Sequence, residues 1–205
     1  MDERLFFPAT ERNKAPIEKV LSKYLPNNGF VLEIASGSGE HGVNFQKLFP
    51  GIVWQTSEPE LFHRKSISAW IIHEGLEGEM PQPIDLDVEK KPWHLTKDIR
   101  LNLKLIICIN LLHISAWSCT ESLFEESRKQ LKREGLIMLY GPFKINGEHT
   151  SSSNDLFDRS LRSRNPKWGV RDLDAVDAVA RANGFEKLEV IEMPANNFSV
   201  IFRKR

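Results

Sequence analysis

Residues 31–42 read VLEIASGSGEHG, an apolar stretch that runs directly into a glycine-rich turn. The apolar and β-branched residues before the turn favour a strand, and the segment after it favours a helix. Glycines at such a junction let the backbone bend sharply, and the free N–H groups at the helix start face a ligand. The spacing G-x-G-x-x-G is weak evidence alone. With a strand before it and a helix after it, the motif predicts a nucleotide cofactor site.

Helical and strand-like patterns alternate on both sides of this turn, which favours an α/β fold with a mostly parallel sheet and helices on both faces. Strands are predicted over residues 30–35, 52–56, 83–86, 103–112, 136–140, 187–193 and 198–203. Helices are predicted over residues 17–25, 41–49, 60–74, 118–133 and 172–183, the fourth opened by a capping box of Ser118 and Glu121, and a shorter helical stretch is predicted around residues 156–161. We expect a single domain over residues 1–205, with a lid-like insertion at about 141–171 where the pattern becomes polar and rich in turns.

Two classes of cofactor fit the glycine loop. One is a nicotinamide or flavin dinucleotide, and the other is S-adenosylmethionine, whose loop has an acidic residue in the strand followed by small-x-Gly-x-Gly. Glu33, Ala35, Gly37 and Gly39 supply the second pattern. A carboxylate just before the turn suits a methionyl ammonium group and would repel a pyrophosphate. The structural alternative is a glutamate that only caps the amides of the loop.

Two acidic positions after the next strands are further candidates for the cofactor. Glu58 ends the second predicted strand, roughly 20 residues after Gly39, where an acidic side chain can accept both ribose hydroxyls of either cofactor. Asp87 follows the third predicted strand and can accept from an adenine amino group, with Asp85 as the alternative if the register differs. An Asp after a strand is equally compatible with a plain turn.

Asn110 and His113 follow the most apolar predicted strand, near its carboxyl end. Ligands of open α/β sheets collect outside those ends, so both residues are candidates for a pocket. His113 is equally compatible with a structural histidine.

The last two predicted strands separate the two cofactor classes. Only residues 194–197 join them, so they pair antiparallel or lie around one intervening strand. A dinucleotide fold has six parallel strands, and an antiparallel end to the sheet is the arrangement of methyltransferases. The hairpin therefore favours S-adenosylmethionine.

Composition excludes several other classes of protein. The 28 Lys and Arg balance 28 Asp and Glu, so a nucleic acid is not the expected partner. Cys108 and Cys119 indicate neither a disulfide framework nor a metal site. No uninterrupted apolar run approaches the ~18 residues of a membrane span, and we expect a cytoplasmic protein that acts away from the membrane.

The chain resembles, from end to end, the methyltransferase-like protein 26 family of class I S-adenosylmethionine-dependent methyltransferases. Besides the glycine loop, the motifs that carry the likeness are ERNK at 11–14, GPFK at 141–144, WGVRDL at 168–173 and MPANN at 193–197. The resemblance implies a seven-stranded sheet of order 3-2-1-4-5-7-6 with strand 7 antiparallel. It also implies S-adenosylmethionine as cofactor and S-adenosylhomocysteine as product. It names no substrate.

The resemblance also implies which residues contact the cofactor. They are Glu33, Gly37 and Gly39 at the methionyl end, Glu58 at the ribose, Asp87 at the adenine, and Asn110 with Leu111 beneath the cofactor. Ala35 departs from the pattern, because many relatives have glycine there.

Methyl transfer from a sulfonium is an in-line displacement, so it needs a positioned acceptor and exclusion of water more than a fixed catalytic set. A hydroxyl or amine acceptor benefits from a general base, for which the candidates are His113, Tyr140 and His149. Arg12 and Asn13, which precede the first predicted helix, can close over the cofactor or form a solvated cap.

These features favour a methyltransferase that acts on a small molecule, because no basic stripe, repeat or separate recognition domain is visible. Three alternatives stay open. They are a protein methyltransferase, a non-catalytic module that binds S-adenosylmethionine, and a dinucleotide-dependent dehydrogenase.

Overall fold

The computed structural model describes residues 2–205, which form two compact units divided after Cys108. In the first unit the helices are α1 (Pro8–Tyr24), α2 (Glu40–Leu48), α3 (Leu61–His73) and α4 (Lys97–Asn102). Its strands are β1 (Gly29–Ile34), β2 (Ile52–Thr56) and β3 (Leu103–Ile109). Helices and strands alternate, as the sequence predicts, and the α/β class is confirmed.

Strand β1 is the centre of the first unit, because it pairs in parallel with both β2 and β3. Its last four residues are all buried, which is why its sequence lacks the alternation of a half-exposed strand. Val31 lies beside Trp54 and Glu33 beside Thr56 in the β1–β2 register. The carboxyl end of β1 leads directly into the glycine loop.

Two predictions for the first unit are wrong. Helix α1 begins at Pro8 and not at residue 17, because a proline fits the first turn of a helix, where its missing N–H is not needed. Arg12 and Asn13 therefore lie inside α1 and not before it. Residues 83–86 form no strand: only Ile84 pairs, with Ser57, in an isolated bridge. Prolines at 81 and 83 lack the N–H donors that a longer ladder would need.

The second unit contains the helices α5 (Trp117–Gln130), α6 (Ser152–Arg164) and α7 (Leu173–Ala182). Its strands are β4 (Leu136–Gly141), β5 (Phe143–Ile145), β6 (Glu148–His149), β7 (Arg171–Asp172), β8 (Phe185–Met193) and β9 (Asn197–Lys204). Strand β9 pairs antiparallel with both β4 and β8, which places the last strand between its neighbours. Phe124 packs edge-on against Phe185 and Phe202 in the core of this unit.

The strand neighbours agree with the predicted order with one exception. The first unit gives β2-β1-β3 and the second gives β4-β9-β8. Within residues 2–205, the third of the seven predicted strands is reduced to the bridge at Ile84.

The helical stretch predicted around residues 156–161 is confirmed by α6, and the rest of the segment 141–171 contains more regular structure than its polar sequence predicts. Strands β5, β6 and β7 form a small sheet in the order β6-β5-β7, and α6 begins where the hydroxyl of Ser151 accepts from the amide of Asn154. The predicted capping box at Ser118 is wrong, because α5 already begins at Trp117 and Ala116 occupies the cap position. In the part of the chain that the structure describes, no helix is long and apolar enough to cross a membrane.

Asp172 connects α7 to the turn between β5 and β6. One carboxylate oxygen accepts from the amides of Asp174 and Ala175, and the other accepts from the amide of Gly147 at 2.6 Å. We expect Asp172→Ala to lower the free energy of unfolding by about 1–2 kcal/mol, since it removes a helix cap and a charged hydrogen bond. Asp174→Ala, an exposed change in the same turn, should cost less than about 0.5 kcal/mol. Urea unfolding measures both, and equal losses would contradict the capping role.

Candidate functional site

The glycine loop is a turn in left-handed backbone conformations. Ala35, Gly37 and Gly39 have φ values of 54°, 56° and 93°. Alanine at the first of these positions adopts a conformation that favours glycine, so the departure from the family pattern does not change the course of the chain. The Ser36 amide donates to the Ser57 carbonyl at 2.9 Å, and this bond fixes the loop to the residue after β2.

The three glycines of the motif have different roles. A Cβ on Gly39 would lie 2.8 Å from the Cα of Ile67, so this glycine allows α3 to approach the loop. A Cβ on Gly42 would lie 2.6 Å from the methyl group of Thr56 and would also crowd Glu33. Gly37 is half-buried, and an added Cβ would meet only the ring of Phe7, at 3.0 Å, so it is the one glycine of the three whose place is not fixed by a neighbouring helix or strand.

Glu33 is a carboxylate inside the protein, with 1% of its surface exposed. Its Oε2 accepts a hydrogen bond from the indole N–H of Trp54 at 2.8 Å. Burial raises the pKa of Glu33 to about 7 against the opposing effects of the Trp54 N–H and the Ser36 hydroxyl, and the nearby Glu58 raises it further. Within residues 2–205 no lysine or arginine pairs with Glu33, so a bound cation is the partner that would favour its ionised form.

Glu58 caps the glycine loop, which is the role that the sequence left open for Glu33. Its Oε2 accepts from the amide of Gly37 at 3.0 Å, and its Oε1 lies 3.3 Å from Nδ1 of His63 in the first turn of α3. The side chain is buried. A loop amide that could bind a phosphate is therefore already used by a carboxylate of the protein.

Asp87 and Asp85 lie after the isolated bridge in irregular chain. The carboxylate of Asp87 accepts from the amide of Glu89 at 3.0 Å and lies 3.6 Å from the Lys90 ammonium. Asp85 is exposed and pairs with Arg64 at 3.1 Å. Asp87 is the less exposed and less tightly paired of the two, which keeps it as the candidate for the adenine.

Asn13 positions a histidine next to the glycine loop. Its Oδ1 accepts from Nε2 of His41, the second residue of α2, at 2.7 Å between buried side chains. Burial, and to a lesser degree Lys14, lowers the pKa of His41 to about 4, so the imidazole is neutral at ordinary pH. Arg12, the neighbouring candidate, is exposed on α1.

In the second unit, Asn110 and His113 lie on a short turn after β3. Asn110 has a left-handed φ of 59°, and its amide donates to the carbonyl of Tyr140 at 2.8 Å. Leu111 follows and is half-buried. Burial lowers the pKa of His113 to about 4, and the positive charges of nearby arginines contribute to a smaller degree. Its ring lies beside Gly141, where an added Cβ would be 3.3 Å from Nδ1.

Helix α6 packs against two of the three candidate bases, His113 and His149. Phe157 packs edge-on against the ring of His113, and the next residue, Asp158, lies 3.3 Å from Nε2 of His149. Tyr140 is buried on β4, and its carbonyl holds Asn110. Tyr140 thus bonds to the turn that also contains His113, and His149 belongs to the small sheet with its Nε2 directed at Asp158.

Trp54 and Ser57 are site residues that the sequence reasoning missed. Trp54 lies beside Val31, so it shares a face of the sheet with Glu33, two residues further along β1. A buried indole N–H needs an acceptor, and this register provides one. The hydroxyl of Ser57 donates to the carbonyl of Glu33 at 2.7 Å, a contact that no sequence signal indicates.

Solved structures share this fold. Human N-acetylserotonin methyltransferase in complex with S-adenosylmethionine superimposes with a TM-score of 0.75 at 16% identity, over 96% of this chain and 52% of that one. The mitomycin 7-O-methyltransferase gives 0.76 at 12% identity, over 94% and 54%. An O-methyltransferase family protein from Burkholderia thailandensis gives 0.76 at 13%, over 96% and 57%. The chain spans little more than half the length of each.

The fold is therefore that of the S-adenosylmethionine-dependent methyltransferases. Within that fold, the chain belongs to the family described as "Protein of unknown function (DUF938)", whose model matches residues 4–204.

The raised pKa of Glu33 predicts how stability depends on pH without a ligand. The folded-state pKa of about 7 exceeds the ordinary 4.5, so the folded protein holds a proton that the unfolded chain has lost. Stability must then fall as the pH rises from about 4.5 to 7 and stay lower above. Glu33→Gln removes this loss while keeping an acceptor for Trp54. We expect a higher Tm at pH 8, by about 2–4 °C for each kcal/mol recovered, and little change at pH 4.5.

Thermal unfolding of the two proteins across this range measures the effect. Glu79→Gln, the same change at an exposed glutamate, serves as the control and should be neutral at every pH. A Glu33→Gln protein that is less stable than wild type at pH 8 would show that the ionised carboxylate stabilises the fold.

Proposed function

We propose that this protein is a cytoplasmic S-adenosylmethionine-dependent methyltransferase with a small-molecule acceptor. The observation that carries the proposal is the charge of the glycine loop. Glu58 occupies the Gly37 amide, and Glu33 lies buried behind the same loop without a cationic partner among the described side chains. Such a loop suits a ligand that brings positive charge to it and opposes one that brings a pyrophosphate.

S-adenosylmethionine meets this requirement, because it carries an ammonium group and a sulfonium centre. We assign Glu33 to the ammonium end, with Ala35, Gly37 and Gly39 forming the turn beside it, and Glu58 to the ribose hydroxyls through its Oε1. Asp87 is assigned to the adenine, and Asn110 with Leu111 to the underside of the cofactor. Further candidates for cofactor contacts are Arg12, Asn13 and His113. Asn13 would act by positioning His41, to which it is hydrogen-bonded.

The acceptor is proposed to be a small molecule for two reasons. The chain has no net charge, which gives no support to a polyanionic substrate. Two structural neighbours, N-acetylserotonin methyltransferase and mitomycin 7-O-methyltransferase, are named for small-molecule substrates. We further infer membership in the methyltransferase-like protein 26 family, on the motifs at 11–14, 141–144, 168–173 and 193–197.

His113 is the favoured general base if the acceptor requires one. Its depressed pKa keeps the imidazole neutral and able to accept a proton at ordinary pH, although a weakly basic imidazole accelerates proton transfer only modestly. The Nε2 of His149 already faces the carboxylates of Asp155 and Asp158, and its Nδ1 is enclosed without a partner. Tyr140 is the third candidate.

Calorimetric titration with S-adenosylhomocysteine tests the cofactor assignment. We expect the wild-type protein to bind the nucleoside and Gly37→Arg to weaken binding by at least about a hundredfold, or about 2.7 kcal/mol. An arginine there must adopt a left-handed backbone, displace Phe7 and fill the ligand space. Gly78→Arg is the matched control, since nothing lies within 4 Å of an added Cβ. Stabilisation by NAD but not by S-adenosylhomocysteine would overturn the proposal in favour of a dehydrogenase.

Incubation with cell extract and S-adenosylmethionine labelled in its methyl group tests the reaction. We expect label in the low-molecular-mass fraction that depends on the protein and is lost with Gly37→Arg. Label in protein would instead indicate a protein methyltransferase. Cofactor binding without any transfer would indicate a non-catalytic module.

A further inference from the structure

Residues 4–7, here called the N-terminal strap, cross the first unit before α1 begins. The amide of Leu5 donates to the hydroxyl of Ser66 at 2.8 Å, and the carbonyl of Leu5 accepts from the indole N–H of Trp70 at 3.0 Å. The amide of Phe7 donates to a carboxylate oxygen of Glu40 at 2.7 Å. These three hydrogen bonds, two from Leu5 and one from Phe7, hold the strap in a defined position on α2 and α3.

Two of these anchors also hold the glycine loop. The hydroxyl of Ser66 donates to the carbonyl of Ser38 at 2.7 Å. The hydroxyl of Ser38 in turn donates to Glu40, at the same oxygen that accepts from the Phe7 amide. Strap and loop therefore share Ser66 and Glu40, and a displacement of one disturbs the hydrogen bonds of the other.

The ring of Phe7 lies beside Gly37 of the glycine loop. It comes within 3.0 Å of the position of a Cβ on Gly37 and packs edge-on against His63, with ring centroids 5.9 Å apart. His63 is the residue beside Oε1 of Glu58, and Glu58 also holds the Gly37 amide. The ring thus touches the glycine that faces the ligand and the histidine beside the ribose carboxylate.

Phe7 also has unused apolar surface. Its exposed fraction is 39%, although its amide is fixed and its ring already contacts two groups of the site. A planar nucleoside entering the loop would cover the remaining ring surface, and burying that surface favours binding. The strap is kept close by Arg4, whose guanidinium lies 4.9 Å from the centroid of the Trp70 ring.

We infer that Phe7 is a cofactor-binding residue and that the N-terminal strap retains the S-adenosyl nucleoside in the glycine loop. The inference rests on the proposed function, since it assigns a wall to the same site. It accounts for the coupling of strap and loop through Ser66 and Glu40. It also places the retaining contact on a segment that lies outside the regular helices and strands, directly before α1.

The test is the affinity and dissociation rate of S-adenosylhomocysteine in matched variants. We expect Phe7→Ala to raise Kd about tenfold, mainly through faster dissociation, because the ring that covers the nucleoside is lost. Trp70→Phe keeps an aromatic ring but removes the donor to Leu5, and should speed dissociation about threefold. In the wild-type protein, amide exchange at Leu5 and Phe7 should slow when the nucleoside binds.

Phe62→Ala is the control, because Phe62 is 63% exposed and its ring also packs against His63, with centroids 5.7 Å apart. It should leave Kd within about twofold of wild type. An equal loss in Phe62→Ala and Phe7→Ala would overturn the inference, since the effect would then pass through His63. Unchanged affinity in both Phe7→Ala and Trp70→Phe would also overturn it. Failure of the wild-type protein to bind would instead refute the proposed cofactor.

Discussion

The burial of a carboxylate at the carboxyl end of β1 is the constraint on which the candidate site depends. Removing Glu33 from water is costly unless its oxygens find donors, and one indole N–H from Trp54 meets only part of that need. The close approach of α2, which requires glycine at position 42, excludes water from the same space. The carboxyl group therefore favours its protonated form unless a cation faces it, and the proposal of a cationic ligand rests on this.

Burial favours the neutral form of three titratable groups near the loop and the turn after β3. It raises the pKa of Glu33 and lowers those of His41 and His113, so all three favour their neutral forms. The neutral histidines bring no charge that could neutralise a phosphate. The carboxylate of Glu58 lies on the loop, where it accepts from the amide of Gly37. Hydrogen bonds more than ion pairs organise the loop, which supports the proposal that the ligand brings the positive charge.

The sequence predicted those parts of the fold that depend on local patterns. Strand β2 begins and ends at the predicted residues because turns bound its apolar run, and the terminal hairpin follows from its short connection. The prediction of a strand at residues 83–86 was wrong because the apolar residues there favour a strand, while the prolines at 81 and 83 lack the backbone N–H donors that a strand needs. Glu33 and Gly37 could be selected from the motif. The pairing of His41 with Asn13 could not be predicted, because it joins residues of different helices and no sequence pattern in either helix indicates the other.

The glycine loop also shows why a motif alone does not identify a cofactor. Gly39 and Gly42 are required by the packing of α3 and α2, whichever ligand is bound. Only the space at Gly37 and the use of its amide bear on chemistry. Because a carboxylate of the protein accepts from that amide, the loop has lost a donor that would make a helix N-terminus attractive to phosphate. In a dinucleotide site, the same glycine spacing favours an anion. Here Glu58 bonds to the loop and Glu33 is buried behind it, so the spacing favours a cationic ligand.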